Sequence, residues 1–228
     1  MKTTICFGKK YDVDRLAIDL RAAEDAGHRH LHWSKDHDGG WSAIPLVSID
    51  GCMDADSLRF RPGAFKKTPI LSHCPYFEEI VDSFKCVQKR IRLMRLEPGT
   101  NILRHTDPGD AWALGEVRFH IPIVTHDDVQ FFVDGERLKM LPGELWFCDF
   151  SRPHWVHNRS PIARVHLVLD LSVNQWLRSM FPSESFAEQV SNRVYCAHYY
   201  SALAFRNAVS VMRLGKIRRL LFSPTSPA

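Results

Sequence analysis

The sequence predicts a mainly β fold with flanking helices, whose core is a double-stranded β-helix of the jelly-roll kind. Three observations carry that expectation. From about residue 90 to residue 171 the chain falls into short runs rich in β-branched and aromatic residues, among them GEVRFHIPIVT, DDVQFFVDGERLKMLPGE and ARVHLVLDL. Turn pairs punctuate them: Pro98-Gly99, Pro108-Gly109, Asp134-Gly135 and Pro142-Gly143, with Asp134-Gly135 between alternating stretches a strong hairpin signal. No helical period separates the runs, so the strands must pair antiparallel and fold into two facing sheets.

The flanking elements follow from spacing and caps. Asp12 to Ala26 places Val13, Leu16, Ala17 and Leu20 at helical intervals, with Asp12 as cap and Gly27 as stop. The stretch after it carries His28, His30, His32 and His37 around a Gly-Gly pair, then the extended run IPLVSI. Alternating histidines on an exposed strand edge have no carboxylate fixed beside them, so no metal cluster is expected there. With Trp33 and Trp41, this segment could instead pack over a barrel mouth and reach a substrate. Pro75 to Gln88 sets Phe77, Ile80, Val81 and Phe84 on one helical face that buttresses the sheet. Beyond Ser172, SVNQWLRSMF and SALAFRNAVSVMRL return to helical spacing. Gly215 to Ala228 adds a basic cluster (Lys216, Arg218, Arg219) and a frayed tail. The expected organisation is a single domain in three stretches: 1–90 packing on the core, 91–171 the β-helix, and 172–228 the C-terminal helices and basic tail.

Composition narrows the classes. At 228 residues and 45% hydrophobic content the chain can bury one large core. A formal charge of +4, with basic residues massed only near the C-terminus, argues against a nucleic-acid partner. There is no apolar run of about 18 residues and no signal-peptide core in MKTTICFGKKYDVDRL, so a cytoplasmic protein without an integral membrane segment is expected. Six scattered cysteines without a CxxC pair point to reduced thiols, and a reducing compartment also keeps iron ferrous.

Three residues carry the chemistry. His105, Asp107 and His154 supply two imidazoles and one carboxylate, the ligand set of a mononuclear non-haem iron(II) site with three adjacent positions open for a co-substrate and dioxygen. Residues two apart on a strand share a face, so His105 and Asp107 can both enter the lumen. His154 is delivered to the sheet by the turn and strand that begin at Pro142. On ARVHLVLDL, Arg164, His166, Val168 and Asp170 share one face while Val165, Leu167, Leu169 and Leu171 form the other. The apolar face meets the core, so the face with Arg164 must look into something polar. Its planar guanidinium suits the far carboxylate of a dicarboxylate co-substrate. Alternation likewise puts Arg118 with His120, and Glu116 nearer the strand start, as a second candidate carboxylate-binding pair. Trp146, Phe147, Phe150 and Trp155 are expected as core or cavity wall; Asp149 and Asn158 lie near the ligands in sequence without an assigned role.

The runs from about Arg92 to Leu171, with PGELWFCDF, His154 and RVHLVLD in order, resemble the aspartyl/asparaginyl β-hydroxylase family of iron(II)- and 2-oxoglutarate-dependent dioxygenases. They are similar also to the bacterial L-proline cis-hydroxylases. The resemblance spans roughly a third of the chain. It implies iron(II) ligation by His105, Asp107 and His154, contact of Arg164 with the distal carboxylate of 2-oxoglutarate, and contact of Arg118 and His120 with its end near iron. It further implies dioxygen as oxidant, conversion of 2-oxoglutarate to succinate and carbon dioxide, and hydroxylation of an amino acid, an amino-acid residue of a peptide or protein, or a related small metabolite. Met94 stands where animal aspartyl hydroxylases have a serine that helps bind the co-substrate, and Asp107 where they have glycine. The full three-ligand set therefore places this chain nearer the bacterial small-molecule branch. Two other classes compete: a cupin-like metal enzyme without 2-oxoglutarate, and a non-catalytic barrel module. Arg164 with the Arg118/His120 pair speaks against the first, and the intact ligand set against the second.

Overall fold

In a computed structural model of the protein, which describes residues 2–27, 29–31, 36–53 and 63–221, two antiparallel sheets enclose a lumen. The chain runs through β1 (Thr4–Lys10), α1 (Val13–Ala26), β2 (His30–Leu31), β3 (Trp41–Ile49), β4 (Phe65–Lys67) and α2 (Pro75–Ser83). The core strands follow: β5 (Gln88–Leu96), β6 (Asn101–His105), β7 (Glu116–Val124), β8 (Val129–Val133), β9 (Glu136–Leu138), β10 (Glu144–Cys148), β11 (His154–Asn158) and β12 (Arg164–Ser172). The larger sheet has the order β1-β10-β7-β12-β5-β3-β2, with β4 on β3, and the smaller β6-β11-β8-β9. This is the expected double-stranded β-helix.

Strand alternation gives the large sheet two unlike faces. Val165, Leu167, Leu169 and Leu171 of β12, Val117, Phe119 and Ile121 of β7, and Ile91 and Leu93 of β5 join one apolar cluster with Leu16 and Leu20 of α1 and Phe77, Ile80 and Val81 of α2. Full burial of each such side chain contributes about 1.5–3 kcal/mol, which is why the sheet's outer face and the two helices form as one unit. The opposite face turns Met94, Leu96, Val168 and Cys148 toward Ile102, Phe131, Val133 and Val156 of the small sheet, closing a second cluster. Arg90, Arg92, Arg118, His120, Arg164, His166 and Asp170 are also on lumen-side positions by the same alternation.

Local chemistry sets the boundaries. Asp12 caps α1 by accepting from the Asp14 and Arg15 amides, and Gly27 N–H donates to the Ala23 carbonyl. Asp134 and Gly135 take φ of 51° and 84°, the paired left-handed geometry of a two-residue hairpin turn between β8 and β9. At Gly143, φ 78°, a Cβ would lie 2.4 Å from the Tyr11 carbonyl oxygen, so only glycine lets β10 start against the β1–α1 corner. All six cysteines are free thiols.

Several details depart from expectation. Helix α2 ends at Ser83 rather than Gln88, because Phe84 turns into the core and Gln88 already begins β5, its side-chain amide donating to the Val81 carbonyl. The strand β1, not foreseen, pairs with β10 and extends the large sheet. Trp41 lies in the lumen cluster, His30 Nε2 meets the Met53 carbonyl, and His37 Nδ1 accepts from the Gly39 amide; His28, His32 and Trp33 lie outside the described residues. The first C-terminal helix is the single turn α3 (Gln175–Arg178). Residues 184–228 form a second compact unit containing α4 (Phe186–Leu221), which opens with a reciprocal capping box between Ser185 and Glu188. The expected tail, from residue 222, lies outside the described residues.

Candidate metal centre

His105 closes β6 and His154 opens β11, and the antiparallel register sets them opposite one another with ring centroids 4.2 Å apart. Asp107 is not on the strand, as alternation had placed it. The strand stops at His105, and Asp107 begins a turn, Asp107-Pro108-Gly109-Asp110, whose Asp110 N–H donates to the Asp107 carbonyl at 2.9 Å. Aspartate at the first position and proline at the second are the residues such a turn favours. The Asp107 N–H donates to the Phe150 carbonyl at 2.8 Å and ties the turn to the chain entering β11. One ligand atom from each of His105, Asp107 and His154 then lies within 4.8 Å of the other two.

The imidazoles are held for ligation. His105 Nδ1 meets the Leu103 carbonyl at 2.7 Å and His154 Nδ1 the Arg152 carbonyl at 3.0 Å, each the backbone two residues earlier. A carbonyl only accepts, so both rings carry the proton on Nδ1 and present bare Nε2 atoms. Neither Asp149 nor Asn158 fills this role. Asp149 accepts from Ser151, and Asn158 holds the Leu96, Glu97 and Ile162 carbonyls. Burial pushes His154 down to about 4, which keeps it neutral. Burial works to raise Asp107, but Arg118 and the two histidines outweigh it and hold the carboxyl below its ordinary range. The donor set, its protonation and its spacing fit a divalent metal of the iron type.

Behind the ligands lies a buried ion network. Arg118 grips Asp170 through Nε (2.6 Å) and Nη2 (3.2 Å), Asp107 Oδ2 through Nη1 (3.0 Å) and Asp110 through Nη2 (2.5 Å). Asp107 Oδ1 is left on the side of His105 Nε2, 3.9 Å away. Arg92 Nη1 (2.8 Å) and Arg90 Nε (3.4 Å) also reach Asp170. Burial opposes ionisation of Asp170, yet Arg118, Arg92 and Arg90 hold it far below the usual carboxylate range. Lys89 and Glu116 pair at the edge of this network.

The other end of the lumen is unlike this one. Arg164 is 2% exposed, its Nε lacks a hydrogen-bond partner, and among the described residues no carboxylate pairs with it; burial lowers it to about 10. Its guanidinium lies 5.4 Å from the Phe131 ring centre. His120 and His166 are joined Nδ1 to Nδ1 at 3.1 Å, and both Nε2 atoms are buried without partners. Phe150 sits between His120 and His154, with ring centroids 5.1 and 4.6 Å away, while Phe147 belongs to the helix-side core and Trp155 stacks on Phe132.

Sequence reasoning thus named the residues that gather here but missed Arg90, Arg92 and Asp110. The signal was present. In KRIRLMRL, Arg90 and Arg92 alternate with Ile91 and Leu93 as Arg164 does with Val165, and Asp110 closes a Pro-Gly turn that begins with the candidate ligand Asp107.

Comparisons with known proteins agree with the architecture. A profile described as Aspartyl/Asparaginyl beta-hydroxylase matches residues 14–173. The L-proline cis-4-hydroxylase of Rhizobium meliloti (strain 1021) is 29% identical over 189 residues, 81% of this chain and 64% of that protein. The L-proline cis-3-hydroxylase 2 of a Streptomyces species is 26% identical over 178 residues, 75% of this chain and 61% of that one. The chain therefore spans somewhat under two thirds of the length of these relatives. Among solved structures, an oxidoreductase of the 2OG-Fe(II) oxygenase family from Burkholderia pseudomallei superposes with TM-score 0.50 at 14% identity, covering 76% of this chain and 88% of that one. HygX from Streptomyces hygroscopicus, with nickel and 2-oxoglutarate bound, gives TM-score 0.50 at 6% identity, covering 76% and 84%. At these identities the two structures speak for the fold alone.

Proposed function

This chain belongs to the aspartyl/asparaginyl β-hydroxylase family, and on that premise we propose that it is an iron(II)- and 2-oxoglutarate-dependent dioxygenase that hydroxylates an amino acid, free or within a peptide. The observation that carries the reading is the pairing, on one lumen, of a His/Asp/His set with a buried arginine that no described carboxylate meets. A buried, unpaired guanidinium is costly, and a dicarboxylate lying between metal and arginine offsets it. Enzymes that use the metal alone have no need of Arg164.

In this reading His105, Asp107 and His154 hold iron(II), which when bound supplies the site for oxygen activation coupled to decarboxylation of 2-oxoglutarate. Arg118 keeps Asp107 ionised and oriented through one oxygen, Arg164 takes the distal carboxylate in a two-point pair, and His120, whose buried Nε2 has no partner, donates to the co-substrate. The two proline hydroxylases among the relatives support a small amino-acid substrate, and free thiols with no helix among the described residues able to cross a membrane suit a reducing cytoplasm.

The test is spectroscopic. Iron(II) with 2-oxoglutarate, added without oxygen, is expected to give the visible charge-transfer band of a chelated complex, abolished in His105→Ala and His154→Ala. No band in the wild-type protein, or a band that survives both substitutions, would remove the site assignment. Succinate release across a panel of amino acids then defines the substrate.

A further inference from the structure

His120 and His166 stand on neighbouring strands β7 and β12, both at most 5% exposed, with their Nδ1 atoms 3.1 Å apart. Burial, with Arg164 nearby, pushes both imidazoles well below their ordinary range, so both are neutral at pH 7. A neutral imidazole carries one N–H and one lone pair. An Nδ1 to Nδ1 hydrogen bond therefore requires opposite tautomers. One ring gives up its Nδ1–H and keeps a bare Nε2; the other has a bare Nδ1 and an Nε2–H. The pair must present one donor and one acceptor at its two free Nε2 atoms, which are the two that lack partners.

Different surroundings meet the two rings. His120 packs on Phe131 and Phe150, and Phe150 packs in turn on the metal-side His154. His166 lines a cavity of about 680 Å³, together with Thr125, His126, Phe131, Lys139 and Met140. That cavity lies at the end of the barrel away from the ligands, where β7 ends and β8 begins. His166 Nε2 is itself buried without a partner, so the cavity side leaves the tautomer open. The lumen side decides it, because a carboxylate only accepts.

We propose that His166 is a positioning residue for the co-substrate: its Nδ1–H donates to His120 Nδ1 and so fixes His120 as the Nε2–H tautomer that donates to a carboxylate in the lumen. The proposal rests on the 2-oxoglutarate reading above. Without His166, His120 Nδ1 loses its donor, and the alternative Nδ1–H tautomer turns a lone pair on the carboxylate.

The experiment uses 15N-histidine-labelled protein loaded with zinc(II), a diamagnetic stand-in for iron, and 2-oxoglutarate. Nitrogen shifts are expected to show His120 protonated at Nε2 and His166 protonated at Nδ1. With iron(II), His166→Phe should raise the KM for 2-oxoglutarate about tenfold with little change in kcat, the loss of roughly one hydrogen bond to a charged group. His166→Gln, whose amide N–H can reach His120 Nδ1, should recover most of that affinity. His120 found protonated at Nδ1 in the complex overturns the proposal, as does an equal KM for the Phe and Gln variants. The zinc complex of the wild-type protein reads the tautomer even if His166→Phe fails to fold. Wild-type protein that binds no 2-oxoglutarate by calorimetry would defeat the co-substrate reading itself, whereas normal binding unchanged in His166→Phe defeats only the positioning role.

Discussion

At Asp170, β12 carries a buried carboxylate that three arginines surround; at Arg164, on the same face nearer the strand start, it carries a buried arginine that no described carboxylate meets. The first end balances its own charge, although Arg92 Nε makes no hydrogen bond. Arg90, Arg92 and Arg118 are balanced by Asp107, Asp110 and Asp170, every carboxylate is gripped, and the network reaches through Arg118 to Asp107 of the candidate metal centre. At the second end Arg164 meets no described carboxylate, and the proposed co-substrate would supply one. Buried charge thus does two jobs on one strand, and the hydrogen-bond partners say which: satisfied charge shapes the protein, unsatisfied charge waits for a ligand.

The contrast breaks most sharply at Asp170. Asp170→Asn keeps the shape but removes the carboxylate that Arg90, Arg92 and Arg118 share, leaving Arg118 only Asp107 and Asp110, and a loss of about 3–5 kcal/mol is expected in urea unfolding. A loss below 1 kcal/mol would mean that solvent, not Asp170, balances the arginines. Arg164→Met should behave oppositely in the ligand-free protein, raising stability by about 1–3 kcal/mol because a desolvated cation is exchanged for a well-packed apolar chain. The same variant should bind 2-oxoglutarate about 100-fold more weakly by calorimetry, as two charge-assisted hydrogen bonds of roughly 1.5 kcal/mol disappear, while iron(II) affinity is nearly unchanged. If Arg164→Met destabilises the empty protein as Asp170→Asn does, the two ends are not different in kind.

The difference between the ends also explains what could be read in advance. Period-two alternation placed Arg164, His166 and Asp170 on one face and the leucines of β12 on the other, because one buried apolar face suffices to fix a strand's register. It put Arg118 beside His120 for the same reason. It could not say that Arg118 would turn to Asp170 and Asp107 while His120 turned to His166, since side chains on one face choose partners across strands whose pairing the sequence does not state. Alternation also misplaced Asp107 on the strand. Pro108 was the missed cue: the residue before proline is pushed toward extended backbone and favours the start of a turn, which here leaves the aspartate beside His154 rather than further along the sheet. The tautomers of His105 and His154 were unreadable for a related reason. Their partners are backbone carbonyls two residues back, and every residue has a carbonyl.

The comparison can be sharpened further with pH, through His154. An imidazole in the unfolded chain takes up a proton near pH 6.5, whereas burial delays this to about 4 at His154 in the folded protein. Between those values the unfolded state binds more protons, so stability is present above 6.5 and is lost as pH falls toward 4. For His154 the loss between pH 7 and pH 5 is about 2 kcal/mol. His120 and His166, also lowered by burial, act in the same direction but are retained in a His154→Gln variant. The metal-free wild-type protein should therefore lose about 2 kcal/mol more than His154→Gln between these two pH values, measured by denaturant unfolding at each. Iron(II) should leave this pH dependence in place or steepen it, because the proton uptake belongs to the unfolded chain and a metal on the folded Nε2 only keeps the folded imidazole unprotonated. Equal losses in the two metal-free proteins would show that His154 is reached by solvent as freely folded as unfolded, and that the metal end is open where the hydrogen bonds describe it as closed.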